Sequence, residues 1–327
     1  MRRTCQLFLT AIALVIGSAA IAQPARYPAK PVKVIIGFPP GTPPEVIGRL
    51  IADKISTSLG QTFFVENRPG ASGTIAANAL IQSPPDGYTV MVGVAASLAV
   101  APHFLPSAKY DPTTAFTPIG FIQRGPYFLA VRNDLPINTI PELVSYAKAN
   151  PGKLNFATPG IGTPHHLSLE RLKSRFGLDI VHVPFQGSPA MVNETIAGRT
   201  QAFFESGAST IVAFVNAGKL RYIGMTGDRR SSLQPGVPTA AEQGIEGIEA
   251  GFWWGLVGPA GLPRDIVTLL NAELNKALAS PDLRDRFRGE GMPEELQRAT
   301  TPEEFGQTIA AEYQRWGPIV KAAGVKA

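Results

Sequence analysis

The sequence predicts an α/β protein of two lobes, each built from a mainly parallel β-sheet flanked by helices. Three observations predict this fold class. Short β-rich segments alternate with amphipathic helical segments along most of the chain, as in a sheet with crossover helices. These units form two sets, and no repeat, low-complexity tract or flexible linker separates them. The 305 residues from 23 to 327 suffice for two domains of about 150 residues each.

The first set of units lies in the N-terminal third of the chain. Runs rich in valine, isoleucine and phenylalanine alternate with segments whose apolar residues recur at helical spacing. The predicted order is a strand at 32–37, a helix at 45–59, a strand at 63–66, a helix at 74–82 and a strand at 89–93.

The second set follows a long apolar segment, 119–131, and its helices carry clear start signals. Thr139-Ile140-Pro141-Glu142 is a capping box with proline at the start of the helix. The predicted order is a helix to about 150, a strand at 154–158, a helix from Thr163-Pro164 to about 176, a strand at 180–184, a helix at 189–197 and strands at 201–204 and 221–225.

A Gly/Pro-rich passage after Gly227 leads to the last predicted elements. These are a strand at 252–257 and two amphipathic helices. One helix spans 264–279, and the other begins at a second capping box, Thr301-Pro302-Glu303-Glu304.

The N-terminus has the features of a cleaved export signal. Arg2 and Arg3 precede an apolar run at 7–20, and Ala20-Ile21-Ala22 has the small-x-small pattern that signal peptidase recognises. The run is shorter than the roughly 18 apolar residues of a membrane span. We therefore expect a signal peptide at 1–22, cleavage after Ala22 and an extracytoplasmic protein.

Cysteine content and charge exclude several classes of protein. Cys5 is the only cysteine and lies in the predicted signal, so the mature chain has no disulfide and no thiolate metal site. Loss of Arg2 and Arg3 lowers the net charge from +5 to +3. The remaining basic residues are scattered, with Arg229-Arg230 as the tightest cluster, so no nucleic-acid partner is expected.

Small, glycine-containing loops with hydroxyl side chains follow several predicted strands. They are Phe38-Pro39-Pro40-Gly41-Thr42, Ala157-Thr158-Pro159-Gly160-Ile161-Gly162-Thr163 and Phe185-Gln186-Gly187-Ser188. Each opens a helix, and helix N-termini present free N–H groups that can hold an anion without arginine. Ordinary turns and caps would have the same composition. Matching loops in both halves favour a shared anion site between the lobes.

Metal and enzyme sites have weaker support. His166 and Glu170 have i,i+4 spacing beside His165, but the sequence has no HExxH motif or third ligand cluster, so capping or packing roles are favoured. His103 and His182 are expected to be structural. We find no G-x-S-x-G elbow, G-x-G-x-x-G loop or carboxylate pair. A serine hydrolase without a local motif stays an alternative.

The aromatic cluster Phe252-Trp253-Trp254 opens the last predicted strand. Core packing is the usual role of alternating aromatic residues. The alternative is that one ring faces the crevice and covers the apolar part of a ligand. If so, we expect Trp253 or Phe252 to do this, rather than both.

Several segments, in one order, resemble a known family. They are Tyr27-Pro28-Ala29-Lys30-Pro31, Phe38-Pro39-Pro40-Gly41, Val65-Glu66-Asn67-Arg68-Pro69-Gly70-Ala71, Pro84-Pro85-Asp86-Gly87-Tyr88-Thr89, His182-Val183-Pro184-Phe185-Gln186-Gly187-Ser188, Pro235-Gly236-Val237-Pro238-Thr239-Ala240-Ala241-Glu242 and Gly255-Leu256-Val257-Gly258-Pro259-Ala260-Gly261. They resemble the receptors of tripartite tricarboxylate transporters, also called Bug solute-binding proteins. The resemblance extends over nearly all of the mature chain.

The resemblance implies a periplasmic-binding-protein-like (Venus flytrap) fold in the periplasm, a small carboxylate ligand and inner-membrane transporter subunits as partners. We expect lobe 1 at 23–124 and 229–327, lobe 2 at 125–228, a monomer, and no cofactor, metal or catalytic residue. The chain crossings near Phe121 to Pro126 and near Gly227 would form the hinge. The expected ligand-binding residues are Phe38, Gly41, Thr42, Ser97, Thr158, Gly160, Gly162, Thr163, His165, His166, Gly187, Ser188, Glu205, Ser206 and Trp253.

Three departures from the family pattern bear on the ligand. Thr42-Pro43-Pro44-Glu45 replaces a glycine run followed by threonine and aspartate, and proline lacks the backbone donor. Val94-Ala95-Ala96-Ser97-Leu98 occurs where polar residues are common, and His165 where a small hydroxyl residue is usual. We expect a mono- or dicarboxylate with an apolar or aromatic body. A receptor that presents its ligand to a membrane signalling kinase is the alternative within the binding class.

Overall fold

The computed structural model describes residues 27–248, 251–289 and 299–324. The predicted signal peptide, 1–22, lies outside these ranges. The described residues form two five-stranded sheets flanked by helices, which confirms the predicted two-lobed α/β fold class. No helix in these ranges is both long enough and apolar enough to span a membrane.

The strands and helices follow the alternation that the sequence predicts. The strands are β1 (Val32–Ile36), β2 (Phe63–Asn67), β3 (Thr89–Val94), β4 (Phe116–Pro126), β5 (Phe128–Arg132), β6 (Asn155–Thr158), β7 (Val181–Pro184), β8 (Ala202–Glu205), β9 (Leu220–Met225) and β10 (Gly251–Pro259). The helices are α1 (Pro43–Leu59), α2 (Thr74–Ile81), α3 (Ile140–Ala149), α4 (Pro164–Phe176), α5 (Ser188–Ile196), α6 (Ser209–Asn216), α7 (Arg264–Leu278), α8 (Pro281–Gly289) and α9 (Pro302–Ala323).

The two sheets share one arrangement. The first has the order β2-β1-β3-β10-β4 and the second the order β7-β6-β8-β5-β9. In each sheet, two neighbouring pairs are parallel and two are antiparallel. The sheets are therefore mixed rather than mainly parallel, because apolar spacing predicts a strand but not its direction.

Buried apolar side chains join the helices to the sheets. In β1, Val32 and Ile36 are fully buried, as expected of a central strand covered on both faces. Gly48 lets α1 lie close to this strand, since a Cβ atom there would be 2.7 Å from Cδ1 of Ile36. On the far edge of the first sheet, α7 and α9 pack against β4.

The sequence did not predict some of the helices. α6 and α8 are short, and α8 buries only Leu283 and Phe287, one helical turn apart. Two helices were expected after β10, but the described residues there form α7, α8 and α9. A π-helical turn at Ala96–Val100 follows β3, where the sequence predicts no element. Each segment is too short or too uniformly apolar to show helical periodicity.

The chain passes from the first sheet to the second at Tyr127. This residue lies between the end of β4 and the start of β5, close to the predicted boundary at 124/125. The side chain of Tyr127 is buried. Its backbone N–H donates to Oγ1 of Thr226 (2.9 Å), just beyond the end of β9. Residues from both chain crossings are thus in direct contact.

Residues that follow the predicted return crossing near Gly227 contact the second sheet. Ala240 donates its N–H to the carbonyl of Met225 in β9 (2.7 Å). The side-chain oxygen of Gln243 accepts from the N–H of Ile140 in α3 (2.9 Å). Residues 240 and 243 therefore contact the second sheet, although the predicted boundary at 228/229 assigns them to lobe 1. The boundary itself stays a prediction.

Candidate ligand cavity between the two sheets

A cavity of about 60 Å³ lies where loops of the two sheets meet. The loops after β1, β3, β6 and β7 reach it, together with the end of β8, the start of β10 and the crossing residue. Its lining is Phe38, Thr42, Pro43, Pro44, Val94, Ala95, Ala96, Tyr127, Pro159, Thr163, Pro164, His165, Ser188, Glu205, Phe252, Trp253 and Trp254. The three loops that the sequence singled out therefore converge.

Three helices begin at this cavity. Thr42 is the N-cap of α1, Thr163 that of α4, and Gly187 that of α5. Each helix has proline in its first two positions, where the fixed φ suits a helix and the missing N–H breaks no intrahelical bond. The partial positive charge of three helix N-termini therefore points toward one small space.

The threonine and serine hydroxyls of the cavity already donate within the protein. Oγ1 of Thr42 donates to the carbonyl of Pro39 (2.8 Å), and Oγ1 of Thr163 to that of Gly160 (2.9 Å). The hydroxyl of Ser188 donates to a carboxylate. Because each proton has a protein acceptor, these hydroxyls shape the loops rather than offer a free donor to an anion.

Backbone amides supply free donors instead. The N–H groups of His165 and Ser188 have no acceptor in the described part of the chain. They lie in the first turns of α4 and α5, where no intrahelical partner exists. Both residues line the cavity. A bound carboxylate could therefore accept from one amide of each helix.

Glu205, at the end of β8, is the acidic residue of the cavity lining and is only 5% exposed. Its Oε2 accepts from the Ser188 hydroxyl, and its Oε1 accepts from the Ser206 N–H at 2.7 Å. Burial by itself would raise the pKa of the carboxyl. The interactions with His165, Ser188 and Ser206 outweigh burial and hold that pKa below its ordinary value. Glu205 is therefore a buried carboxylate anion.

His165 lies between this anion and the crossing between the sheets. Its ring packs on that of Tyr127, with centroids 4.0 Å apart and planes 35° apart. Its Nε2 is 3.7 Å from Oε1 of Glu205, which is too long for a hydrogen bond but within ion-pair range. Both ring nitrogens are buried, and neither has a hydrogen-bond partner among the described residues.

Aromatic rings form the apolar wall. Phe252 and Trp254 pack together with centroids 5.0 Å apart, and Phe252 also approaches Tyr127 at 5.9 Å. Trp253 also reaches the cavity, but its indole N–H donates to Glu312 in α9 (3.2 Å). The whole aromatic cluster therefore borders the site, whereas the sequence suggested one ring.

The structure brings about half of the expected ligand residues to the cavity. Those in its lining are Phe38, Thr42, Thr163, His165, Ser188, Glu205 and Trp253. Those outside it are Gly41, Ser97, Thr158, Gly160, Gly162, His166, Gly187 and Ser206.

Local hydrogen bonds account for most of the residues outside the lining. The N–H of Gly41 donates to Glu45, and the hydroxyl of Ser97 donates to the carbonyl of Val94 at 3.2 Å. Ser206 is different, because its hydroxyl is buried without a partner among the described residues. Adjacency in a loop predicts a shared neighbourhood, but it does not predict which side chain faces the ligand.

Two glycines that were expected to bind ligand line a neighbouring groove rather than the cavity. Gly160 and Gly187 line a groove between Phe38 and Phe185. Gly187 has φ of 96°, and a Cβ atom there would lie 3.3 Å from Cγ2 of Thr42. Glycine therefore permits close approach of the loops from the two sheets.

Thr158, His166 and His182 form a separate cluster at the start of α4, outside the cavity lining. Oγ1 of Thr158 is 2.6 Å from Nε2 of His182. The His182 ring stacks on His166 with centroids 3.8 Å apart. Nδ1 of His166 accepts from the Gly162 N–H (3.0 Å), so this histidine holds the turn before α4. The described residues contain no group of three or more metal-ligating side chains.

Sequence reasoning missed Tyr127 and Trp254. Tyr127 lies in a run of apolar residues that reads as a buried strand, and Trp254 follows the residue that was favoured. No local motif distinguishes either one. Their position at the end of β4 and in β10 could be found only from the pairing of these strands.

Comparison with known proteins shows the family. The chain matches the tripartite tricarboxylate transporter family receptor (TctC) over residues 47–325. The chain belongs to this family. Receptors of this family are periplasmic solute-binding proteins, so the resemblance carried by the short motifs is confirmed.

Similar sequences cover almost the whole chain. Protein BugT of Bordetella pertussis is 33% identical over 322 residues, which are 97% of this chain and 98% of BugT. A protein from Pseudomonas sp. strain P51, described as the UPF0065 protein in the tcbD-tcbE intergenic region, is 33% identical over 95% of this chain and 91% of its own length.

Solved structures of similar proteins have the same fold. An R. palustris protein with adipate has a TM-score of 0.85 and 32% identity over 92% of this chain and 99% of its own. MatC from Rhodopseudomonas palustris with bound malate has a TM-score of 0.82 and 30% identity over 90% of this chain and 100% of its own. The periplasmic binding protein BugD has a TM-score of 0.83, with 30% identity over 92% of this chain and 99% of its own.

Proposed function

We propose that this protein captures a small carboxylate in the cavity between its sheets and delivers it to the membrane subunits of a tripartite tricarboxylate-type transporter. The convergence of three helix N-termini on one closed space, with free amides at His165 and Ser188, is the observation that carries this proposal. Adipate and malate in the similar structures are both small dicarboxylates. The cavity offers backbone donors of the kind that hold such anions.

The walls favour a ligand with an apolar body. Val94, Ala95 and Ala96 face the cavity from the first sheet, and Phe252 and Trp254 close it from β10. Burying hydrocarbon against these side chains contributes about 25 cal/mol per Å². The oxygens of Glu205 already accept from protein donors. An aliphatic or aromatic mono- or dicarboxylate therefore fits better than citrate or an amino acid.

We also propose that the mature protein is a periplasmic monomer, released by cleavage after Ala22. Membrane subunits would recognise the closed arrangement, in which loops of both sheets surround the ligand. Family membership favours a transporter over a signalling kinase as partner. Light scattering and intact-mass measurement of exported protein test the monomer and the cleavage site.

The cavity lacks the geometry of a serine hydrolase. The Ser188 hydroxyl donates to Glu205, not to His165, whereas a serine nucleophile needs its proton taken by a neighbouring base, usually histidine. The proposal is therefore binding without catalysis. Turnover of a carboxylic ester that disappears in the S188A variant would instead favour the hydrolase.

A thermal-shift screen on residues 23–327 tests the ligand class. The protein is unfolded and refolded first, so that no co-purified ligand remains, and is then mixed with adipate, hexanoate, benzoate, citrate or aspartate. A ligand at 100 times its Kd adds about 2.7 kcal/mol of stability, which raises the melting temperature by several degrees.

Adipate, hexanoate or benzoate should give the largest shift. Sodium chloride at matched ionic strength controls for salt effects. A larger shift with citrate or aspartate would contradict the proposed ligand class, and no shift with any carboxylate would contradict carboxylate capture itself.

A further inference from the structure

His165 is a buried side chain whose hydrogen-bonding capacity the protein leaves unused. Its Nδ1 and Nε2 are both inaccessible and unpartnered among the described residues, although the ring lines the cavity. Buried polar atoms in folded proteins nearly always have partners. A ring in this position is therefore suited to a partner that arrives from outside the chain.

The neighbours of the His165 ring belong to β8, to the crossing between the sheets and to α4 itself. Glu205 approaches from β8, with Oε1 at 3.7 Å from Nε2. Tyr127 approaches from the crossing, and burial followed by the charge of Glu205 raises its pKa well above the ordinary value. His166, the next residue of α4, has other partners: it accepts from the N–H of Gly162 and stacks on His182. Glu205 is therefore the charged neighbour that acts on His165.

Adding a carboxylate to this cavity brings a second anion close to Glu205. With a neutral imidazole, the site would hold two uncompensated negative charges in a region of low dielectric, where like charges repel strongly. With an imidazolium, one of the two charges is compensated.

Resting on the proposed function, we propose that His165 is the specificity-determining residue for anions: its imidazolium pairs with Glu205 through Nε2 and compensates the charge of a carboxylate bound in the cavity that the residue lines. Carboxylate binding is therefore coupled to proton uptake. The ring of His165 packs on that of Tyr127, which fixes the plane of the imidazole. Tyr127 links the two sheets, so the orientation of His165 depends on the residue at the crossing.

The affinity for a carboxylate should therefore depend on pH. A carboxylate binds more tightly at pH 6.0 than at pH 8.0, since imidazole side chains change charge in this interval. We expect at least about a tenfold rise in Kd over that range, because replacing a charge-assisted donor changes affinity by about this factor.

Isothermal titration calorimetry tests the pH dependence with the member of the panel adipate, hexanoate and benzoate that gives the largest melting shift. Wild type, H165Q and H103Q are titrated at pH 6.0 and 8.0. H165Q should bind more weakly at pH 6.0 and change less than about twofold between the two values. H103Q is the control, because His103 contacts Tyr313 outside the cavity lining, and it should keep the wild-type dependence.

Proton uptake by the wild type is a second test, which does not depend on any variant folding. Titrations at pH 7.5 in buffers of different ionisation enthalpy should show net proton uptake on binding. Wild-type binding without uptake or pH dependence, or an H165Q profile equal to that of wild type, overturns this role while leaving carboxylate capture intact. Failure of all three carboxylates to bind at either pH overturns the proposed function instead.

Discussion

At the residue scale, polar groups near the cavity are satisfied in ways that local sequence does not show. Thr42 and Thr163 were expected to donate to a ligand, yet their protons go to carbonyl groups three residues earlier in the same loops. This pattern is common for hydroxyl residues at helix caps. Among the described residues, the N–H groups of His165 and Ser188 and the ring nitrogens of His165 are without a partner.

His182 should limit stability in acid. Burial, followed by the charge of nearby His166, lowers the pKa of His182 from 6.5 to about 4. Between these values the unfolded chain binds a proton that the folded protein does not, so stability present above pH 6.5 is lost as pH falls toward 4. H182Q, which can keep a hydrogen bond to Thr158, should lose less stability over this interval.

Urea unfolding at pH 7.0 and 4.5 measures this effect as the change in midpoint. H103Q is the matched control, because His103 contacts Tyr313 in α9, away from the His166–His182 pair. An equal loss in wild type and H182Q would show that His182 does not control acid stability.

At the element scale, the starts of helices are the feature that the local sequence predicts best. Thr301 accepts from the N–H of Glu304 (3.1 Å), and the Glu304 carboxylate accepts from the N–H of Thr301 (2.9 Å), as the capping box predicts. Thr139 likewise accepts from Glu142 at 3.1 Å. These signals were readable because all partners lie within four residues of each other.

Removing the cap of α9 should destabilise the protein. T301A should lower the free energy of unfolding by about 1 kcal/mol, since it leaves a first-turn N–H without its acceptor. T301S keeps the hydroxyl and should stay close to wild type. Denaturant titration measures both variants. A similar loss in T301S would assign the effect to the methyl group rather than to the cap.

At the scale of the whole molecule, segments of the two sheets are in direct contact. The hydroxyl of Ser72 donates to the carbonyl of Ile161 (2.5 Å), which joins the loop after β2 to the loop after β6. Gly162, with φ of 69°, faces the ring of Phe104 so closely that a Cβ atom would lie 1.7 Å from Cζ. Glycine is thus required for this close approach.

Substitution of Gly162 should therefore weaken ligand binding. G162A forces Phe104 to move and should raise the Kd for a carboxylate about tenfold, equivalent to about 1.4 kcal/mol. G177A is the matched control: it ends the same helix, its φ is 61°, and nothing lies within 4 Å of the added Cβ. Both variants should lose similar stability from backbone strain.

Calorimetric Kd values together with melting temperatures separate the two effects. If G162A and G177A bound ligand equally well, contact between Gly162 and Phe104 would have no role in closure.

The sequence by itself determined the α/β class, the alternation of elements, the caps that begin α3, α4 and α9, and the three loops that lead to the cavity. Each depends on residues close together in the chain, where periodicity and hydrogen-bonding chemistry act directly. The family followed from short motifs spread over the chain.

Only the tertiary structure decided strand direction and the identity of the cavity walls. Tyr127 and Trp254 meet at one site because β4 and β10 pair antiparallel, although they are far apart in sequence. The neighbours Ser188, Glu205 and His165 come from three different elements. Their charges and protons are set by burial and by one another, and these are properties of the folded arrangement rather than of any local pattern.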